Sequence, residues 1–272
     1  MVDTKKIVEN IKRISKTCAY KIKLETEAPT IFDSKFGGLP YWTEGKEYPK
    51  NSKGNNLFLL AQINFDKYKF DSPLPSSGML QFFVDCNDLM GLDFDDQLKQ
   101  DGFRVIYHDK IDYEIKNESI YEFGVPKNIP EEYEYFPIEK EMKISFNKEM
   151  DTIHIGDKAF DKYFTTAYNM NNEKCITIKD NYYKVLSDEE YDKFEEAFNS
   201  DSAGHKILGY PSFTQSDPRG MEKYSDYNIL LLQIDSEENI SWGDAGVCNF
   251  FIKEKDLLEK DFSKVLYNWD CF

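Results

Sequence analysis

The chain has 272 residues, of which 40% are apolar and 15% aromatic, enough to bury a substantial core and too aromatic for a disordered chain. Fifty acidic residues against 34 basic ones leave a formal charge of −16 with no basic run, which argues against direct binding to a nucleic-acid phosphate backbone. The cysteines (Cys18, Cys86, Cys175, Cys248 and Cys271) are odd in number and widely spaced, so they spell neither a disulfide framework nor a zinc site, and no stretch approaches the roughly 18 apolar residues of a spanning helix.

Residues 3–17 read as a helix, because Ile7, Val8, Ile11 and Ile14 fall on one stripe. The stripe holds no Trp or Phe, so docking on the protein body is expected rather than a membrane contact. The segment also lacks the apolar core of a secretory leader, and with the cysteine pattern this leads us to expect a cytoplasmic protein. Tyr20–Glu25 alternates as a strand with one solvated face. Ser34–Trp42 holds Gly37, Gly38 and Pro40 among aromatics, the composition of a tight, buried turn. Strands follow at 57–63, 78–84 and 103–107, the first a nearly continuous apolar run covered on both faces. Residues 111–137, acidic and rich in Tyr, read as an irregular connection with short strands, and 143–146 as a strand. Ser187 with Glu190 forms a capping box ahead of the stripe Tyr191, Phe194 and Phe198, a helix expected to end near Asn199.

The second half repeats the first. Lys206, Gly209, Pro211 and Gln233 each lie 171 positions after Lys35, Gly38, Pro40 and Gln62. In that register Leu230-Leu231 falls on Leu59-Leu60. Gly246 and Phe250-Phe251 follow Gly78 and Phe82-Phe83 by 168, and Lys264–Tyr267 resembles Arg104–Tyr107. Residues 35–109 and 206–269 thus read as two copies of one unit, each with too few strands to bury its own apolar run. The expected fold is a single α+β domain over residues 1–272, mostly antiparallel sheet built from two pseudo-repeats, with peripheral helices.

The blocks Lys35–Tyr41, Leu60–Phe65, Gly78–Val84, Gly209–Arg219 and Trp242–Ile252 resemble the YwqG-like bacterial domain of unknown function, in order and over nearly the whole chain. The resemblance implies a one-domain, β-rich cytoplasmic protein with no established activity. Because some members occur near toxin genes, it also suggests an immunity role. It carries over no catalytic residues.

No catalytic motif is present. Gly45-Lys46 lacks the preceding glycine and the following Ser or Thr of a phosphate loop, and the acidic runs at Asp85 and Asp93 lack the glycine and glutamate of a calcium loop. A Cys248–His205 pair has a simpler reading, with Cys248 a small apolar filler beside Phe250. No metal and no cofactor is therefore expected.

The residues that resist an apolar account are Gln62, Gln233, Asn249, Asp217, Arg219, Trp242 and Asp244. Gln62 and Gln233 sit inside apolar runs, where each must bond backbone, the other glutamine, or a ligand in a cleft between the copies. Asp217-Pro218-Arg219 reads as an Asx turn with Arg219 held by a nearby acid, or as an anion clamp. Two functions follow as expectations. The first is a monomeric, non-enzymatic binder of a basic protein, steered by the acidic surface. The alternative is an enzyme or small-ligand binder with its site between the copies.

Overall fold

The computed structural model describes residues 2–129, 135–179, 181–198 and 203–272. Ten strands pair antiparallel in the order β10-β9-β8-β7-β1-β6-β2-β3-β4-β5. They are β1 Thr17–Leu24, β2 Lys35–Phe36, β3 Phe58–Asn64, β4 Met79–Val84, β5 Phe103–His108, β6 Met142–Asp151, β7 Lys206–Leu208, β8 Ile229–Asp235, β9 Val247–Ile252 and β10 Val265–Asp270. The sheet curls until its edge strands face each other through side chains. Phe103 of β5 lies 5.0 Å from Tyr267 of β10, and the backbone N–H of Tyr267 donates to the Gln97 carbonyl. The result is a nearly closed barrel, β-rich and antiparallel as the sequence predicts.

The sequence places β3, β4, β8 and β9 as apolar runs, and β3, β4 and β9 are buried at every residue. Both faces are covered, one by the barrel interior and one by loops. The β3–β4 ladder slips at Leu59/Ala61 and the β8–β9 ladder at Leu230/Leu232, so each strand carries a bulge at the same place. The strands β6 and β1 run through the middle of the sheet. The first is longer than the predicted 143–146, because its cross-strand partner β1 extends the ladder to Asp151.

Among the described residues five helices lie outside the barrel: α1 Thr4–Ile14, α2 Phe160–Asn169, α3 Tyr182–Val185, α4 Asp188–Phe198 and α5 Glu254–Leu258. Ile7, Val8 and Ile11 of α1 pack with Phe160, Phe164, Phe194 and Phe198 in a second apolar cluster, so the amphipathic stripe docks on the protein's own helices. Glu190 accepts from both the backbone N–H and the hydroxyl of Ser187, and its other oxygen accepts from the Val2 N–H, tying α4 to the start of α1. The predicted end of α4 near Asn199 lies outside the described residues. The 111–137 connection contains no strand among its described residues, only a 3-10 turn at Ser119–Tyr121; Ile120 and Val125 anchor it to an apolar cluster, while Tyr113, Tyr121 and Tyr135 are exposed.

Candidate functional site

Two short strands set the site. The chain leaves β2 through Gly37 and Gly38 with φ of 65° and 73°, and leaves β7 through Leu208 and Gly209 with φ of 61° and 74°. Two successive left-handed residues turn the backbone sharply into Pro40 and into Pro211. The segment beyond each turn is gripped by a buried amide from the strand just past its bulge. Gln62 Oε1 accepts from the Tyr41 N–H at 3.0 Å, and Gln81 Nε2 donates to the Tyr41 carbonyl. Gln233 Oε1 accepts from the Ser212 N–H at 2.8 Å, and Asn249 Nδ2 donates to the Ser212 carbonyl.

In front of the second turn lies a cavity of about 440 Å³. Leu208, Gly209, Tyr210, Pro211, Ile229 and Leu230 form its floor. Thr17 and Cys18 of β1 and the loop Asp71–Pro73 from the first half form one side, and Asp157–Ala159 ahead of α2 with Arg219 form the other. The cavity therefore opens between the two halves of the chain.

Its charged wall is built into the protein interior. The Arg219 guanidinium donates from Nε to Asp217 Oδ1 at 2.8 Å, and from Nη2 to Asp157 Oδ2 at 2.7 Å and to Asp217 Oδ2. It stacks 4.5 Å from the Phe251 ring, and the side chains of all three ions are only 4% exposed. Burial opposes the Arg219 charge, but the Asp217 hydrogen bond and the charges of Asp157 and Asp217 outweigh it and raise its pKa. The remaining oxygen of Asp157 accepts from the Ala159 N–H. Lys158 Nζ donates to Ser225 and Asn228 oxygens rather than to a carboxylate.

Behind Gly209 sits a second buried pair. Lys206 Nζ donates to Asp151 Oδ2 at 2.9 Å with both side chains fully buried, and the same oxygen accepts from the Tyr210 N–H. Burial lowers the Lys206 pKa to about 8, against the pull of Asp151. The Tyr210 hydroxyl lies 2.8 Å from that of Tyr163 on α2. The wall thus holds fixed, oriented ions beside apolar surface, suited to orienting a small ligand with both polar and apolar parts.

Of the residues singled out in the sequence, Asp217 and Arg219 are brought together, and Arg219 lines the cavity. The side chain of Gln62 serves backbone: besides Tyr41 it bonds the Ile31 and Asp33 carbonyls. Gln233 likewise bonds the Gly204 carbonyl, so the two glutamines do not meet each other. Trp242 is fully buried against Trp269, and Asp244 is exposed at the following turn. Cys248 is fully buried, its thiol held well above the usual range by burial, while His205 packs against Phe36. Among the described residues no group of three or more His, Cys, Asp or Glu is placed to hold a metal, and no helix is long and apolar enough to cross a membrane. Asp151, Asp157, Lys206 and Tyr210 escape the sequence reading. The only signal for Lys206 is a lysine at the same position in both halves, since Lys35 is also buried and pairs with Glu141 at 3.3 Å.

The fold and cavity define a β-barrel-like protein with a mainly apolar pocket, walled on one side by ions, set between its halves. The chain belongs to the family described as Domain of unknown function (DUF1963), whose model matches residues 34–271. Comparison with the curated proteins found no match.

Proposed function

We propose that this chain is a cytoplasmic binding protein of the YwqG-like kind, one domain made of two copies of a single unit. Its small ligand enters the cavity at the Gly209–Pro211 turn. What carries the reading is the wall of that cavity: Arg219 and Asp157 are almost wholly buried, yet both line an opening of about 440 Å³. Burying an ion pair contributes little to stability on its own, so ions held rigidly at the edge of open space favour a recognition role. The two-copy reading is supported by the shared strand order, the bulges 171 positions apart and the Gln-clamped turns. A fragment screen by ligand-observed NMR tests the site. Hits on the wild-type chain should vanish with Ala159→Trp, which fills the cavity; an absence of hits, or hits indifferent to that change, defeats the proposal.

A second reading keeps a basic protein as partner. Supporting it, Asp85, Asp93, Asp95 and Asp101 line a surface cleft of about 350 Å³, with Phe94 69% exposed on its rim. A lysine-rich peptide should then bind at low salt, more weakly at high salt, and more weakly still to Asp93→Asn/Asp95→Asn. Affinity indifferent to both salt and substitution would count against it.

A further inference from the structure

The first turn has a cavity of its own, of about 210 Å³. It is walled by Gly38, Leu39, Pro40, Phe58 and Leu59, and each of these lies 171 positions before a residue lining the cavity described above: Gly209, Tyr210, Pro211, Ile229 and Leu230. The correspondence has a structural cause. In both halves a pair of left-handed residues turns the chain away from the sheet, and a strand with a bulge at the same point supplies the floor. Space is left in front of the turn both times.

What closes that space differs. Around the second turn it is the charged wall of Asp157 and Arg219. Around the first it is the connection between the halves, which brings Tyr121 and Lys127, together with Tyr48 and Phe136. In a chain of net charge −16, none of the described residues that line this cavity is Asp or Glu, and Lys127 is the one charged residue among them. The Lys127 ammonium stands 5.6 Å from the Tyr121 ring centroid, and among the described residues no carboxylate pairs with it. A cavity of about 150 Å³ lined by aliphatic and aromatic side chains takes benzene, so 210 Å³ admits one ring with a short substituent.

We infer that the cavity at the Gly38–Pro40 turn is a second binding site, for a small aromatic acid. The ring seats among Tyr48, Phe58, Tyr121 and Phe136, and the carboxylate reaches the Lys127 ammonium. Edge-to-face contacts with four aromatic side chains favour a flat ring over a branched aliphatic group. The Lys127 ammonium supplies the positive charge that an anion needs on a chain whose net charge otherwise disfavours one.

Phenylacetate titrated into the full chain by calorimetry tests the assignment, with benzyl alcohol as the uncharged ring of similar size. Saturable phenylacetate binding is expected with a Kd of about 1 mM or tighter. Lys127→Glu should weaken phenylacetate by about tenfold or more and leave benzyl alcohol unchanged. Leu39→Trp should abolish both, and Ile129→Trp, placed on the exposed rim, should do the same without entering the core. Ala159→Trp, which blocks only the other cavity, should leave phenylacetate binding intact. The inference is overturned by no saturation up to about 10 mM, by binding that survives both Leu39→Trp and Ile129→Trp, or by binding lost in Ala159→Trp alone.

Discussion

Gln62 is a fully buried amide with both donors and both lone pairs engaged: it donates to Ile31 and Asp33, and accepts from Tyr41 and Gln81. Its role is to hold two stretches of irregular backbone, Ile31–Asp33 and Tyr41, against a strand. Gln62→Leu keeps roughly the same volume but strands the Tyr41 N–H and two carbonyls away from water. Each orphan costs about 1–3 kcal/mol, so a loss of about 3 kcal/mol or more is expected in urea unfolding. A near-neutral result would mean that these backbone groups find water or other partners. The sequence flags Gln62 as anomalous because it interrupts an apolar run. It does not name the backbone partners, which lie 21 to 31 residues earlier in segments with no periodicity. Asp157 illustrates the reverse failure. It is one acid among fifty in the sequence, and only its 2.7 Å contact with Arg219 gives it meaning.

At the scale of the element, the turns leaving β2 and β7 look interchangeable in sequence but differ in what backs them. A Cβ on Gly209 would stand 2.2 Å from Asp151 Oδ2 and 2.8 Å from the Ala19 Cβ, at a φ of 74°. A Cβ on Gly38 would stand 2.6 Å from the Glu141 Cβ, so the backbone there must give, while the Glu141 carboxylate, 43% exposed, can turn toward solvent. Left-handed backbone costs alanine about 1–2 kcal/mol at either position. Both substitutions crowd the carboxylate that compensates a buried lysine, Glu141 for Lys35 and Asp151 for Lys206, but Asp151 is fully buried and has no water to turn to, and breaking such a pair is strongly destabilising. Gly209→Ala is therefore expected to lose about 3 kcal/mol or more, clearly beyond Gly38→Ala, when the two denaturation midpoints are compared. Equal losses would show that the Lys206–Asp151 pair tolerates the shift. The helices follow similar logic. The stripe of α1 is plain in sequence, whereas α2 is not recognised there, because its buried face rests on three residues, Phe160, Phe164 and Ala167.

Over the whole molecule, the chain should lose stability in mild acid before its carboxylates titrate. His108 is 2% exposed, with Nε2 2.9 Å from Gln81 Oε1 and its ring edge-on to Tyr41 and Trp42. Burial, reinforced by nearby Lys46, pushes its pKa down to about 3, and burial lowers His154 to about 4. Above the unfolded value of about 6.5 both states are neutral, and this contribution is fully present. As pH falls below that value the unfolded chain takes up protons the folded chain refuses, and stability drains away until the folded pKa is reached. At pH 5 the His108 share of the loss is about 2 kcal/mol. Urea midpoints at pH 7.5 and 5 should show the decline, and His108→Gln should reduce it; a midpoint flat between these pH values would refute the assignment.

The sequence by itself determined the strands, the docking helix α1 and the spacing that makes the two halves alike. These follow from local periodicity and from apolar runs that must be buried wherever they lie. Tertiary structure alone decided which polar residues share a site. Cys18, Asp71, Asp157 and Arg219 are scattered over some 200 positions, and they line one cavity because β7 pairs with β1 and turns away at Gly209. It also decided that Gln62 and Gln233 serve their own turns instead of facing each other. A side chain's hydrogen-bond capacity is legible in a sequence, but the partner that satisfies it is set by the path of distant backbone.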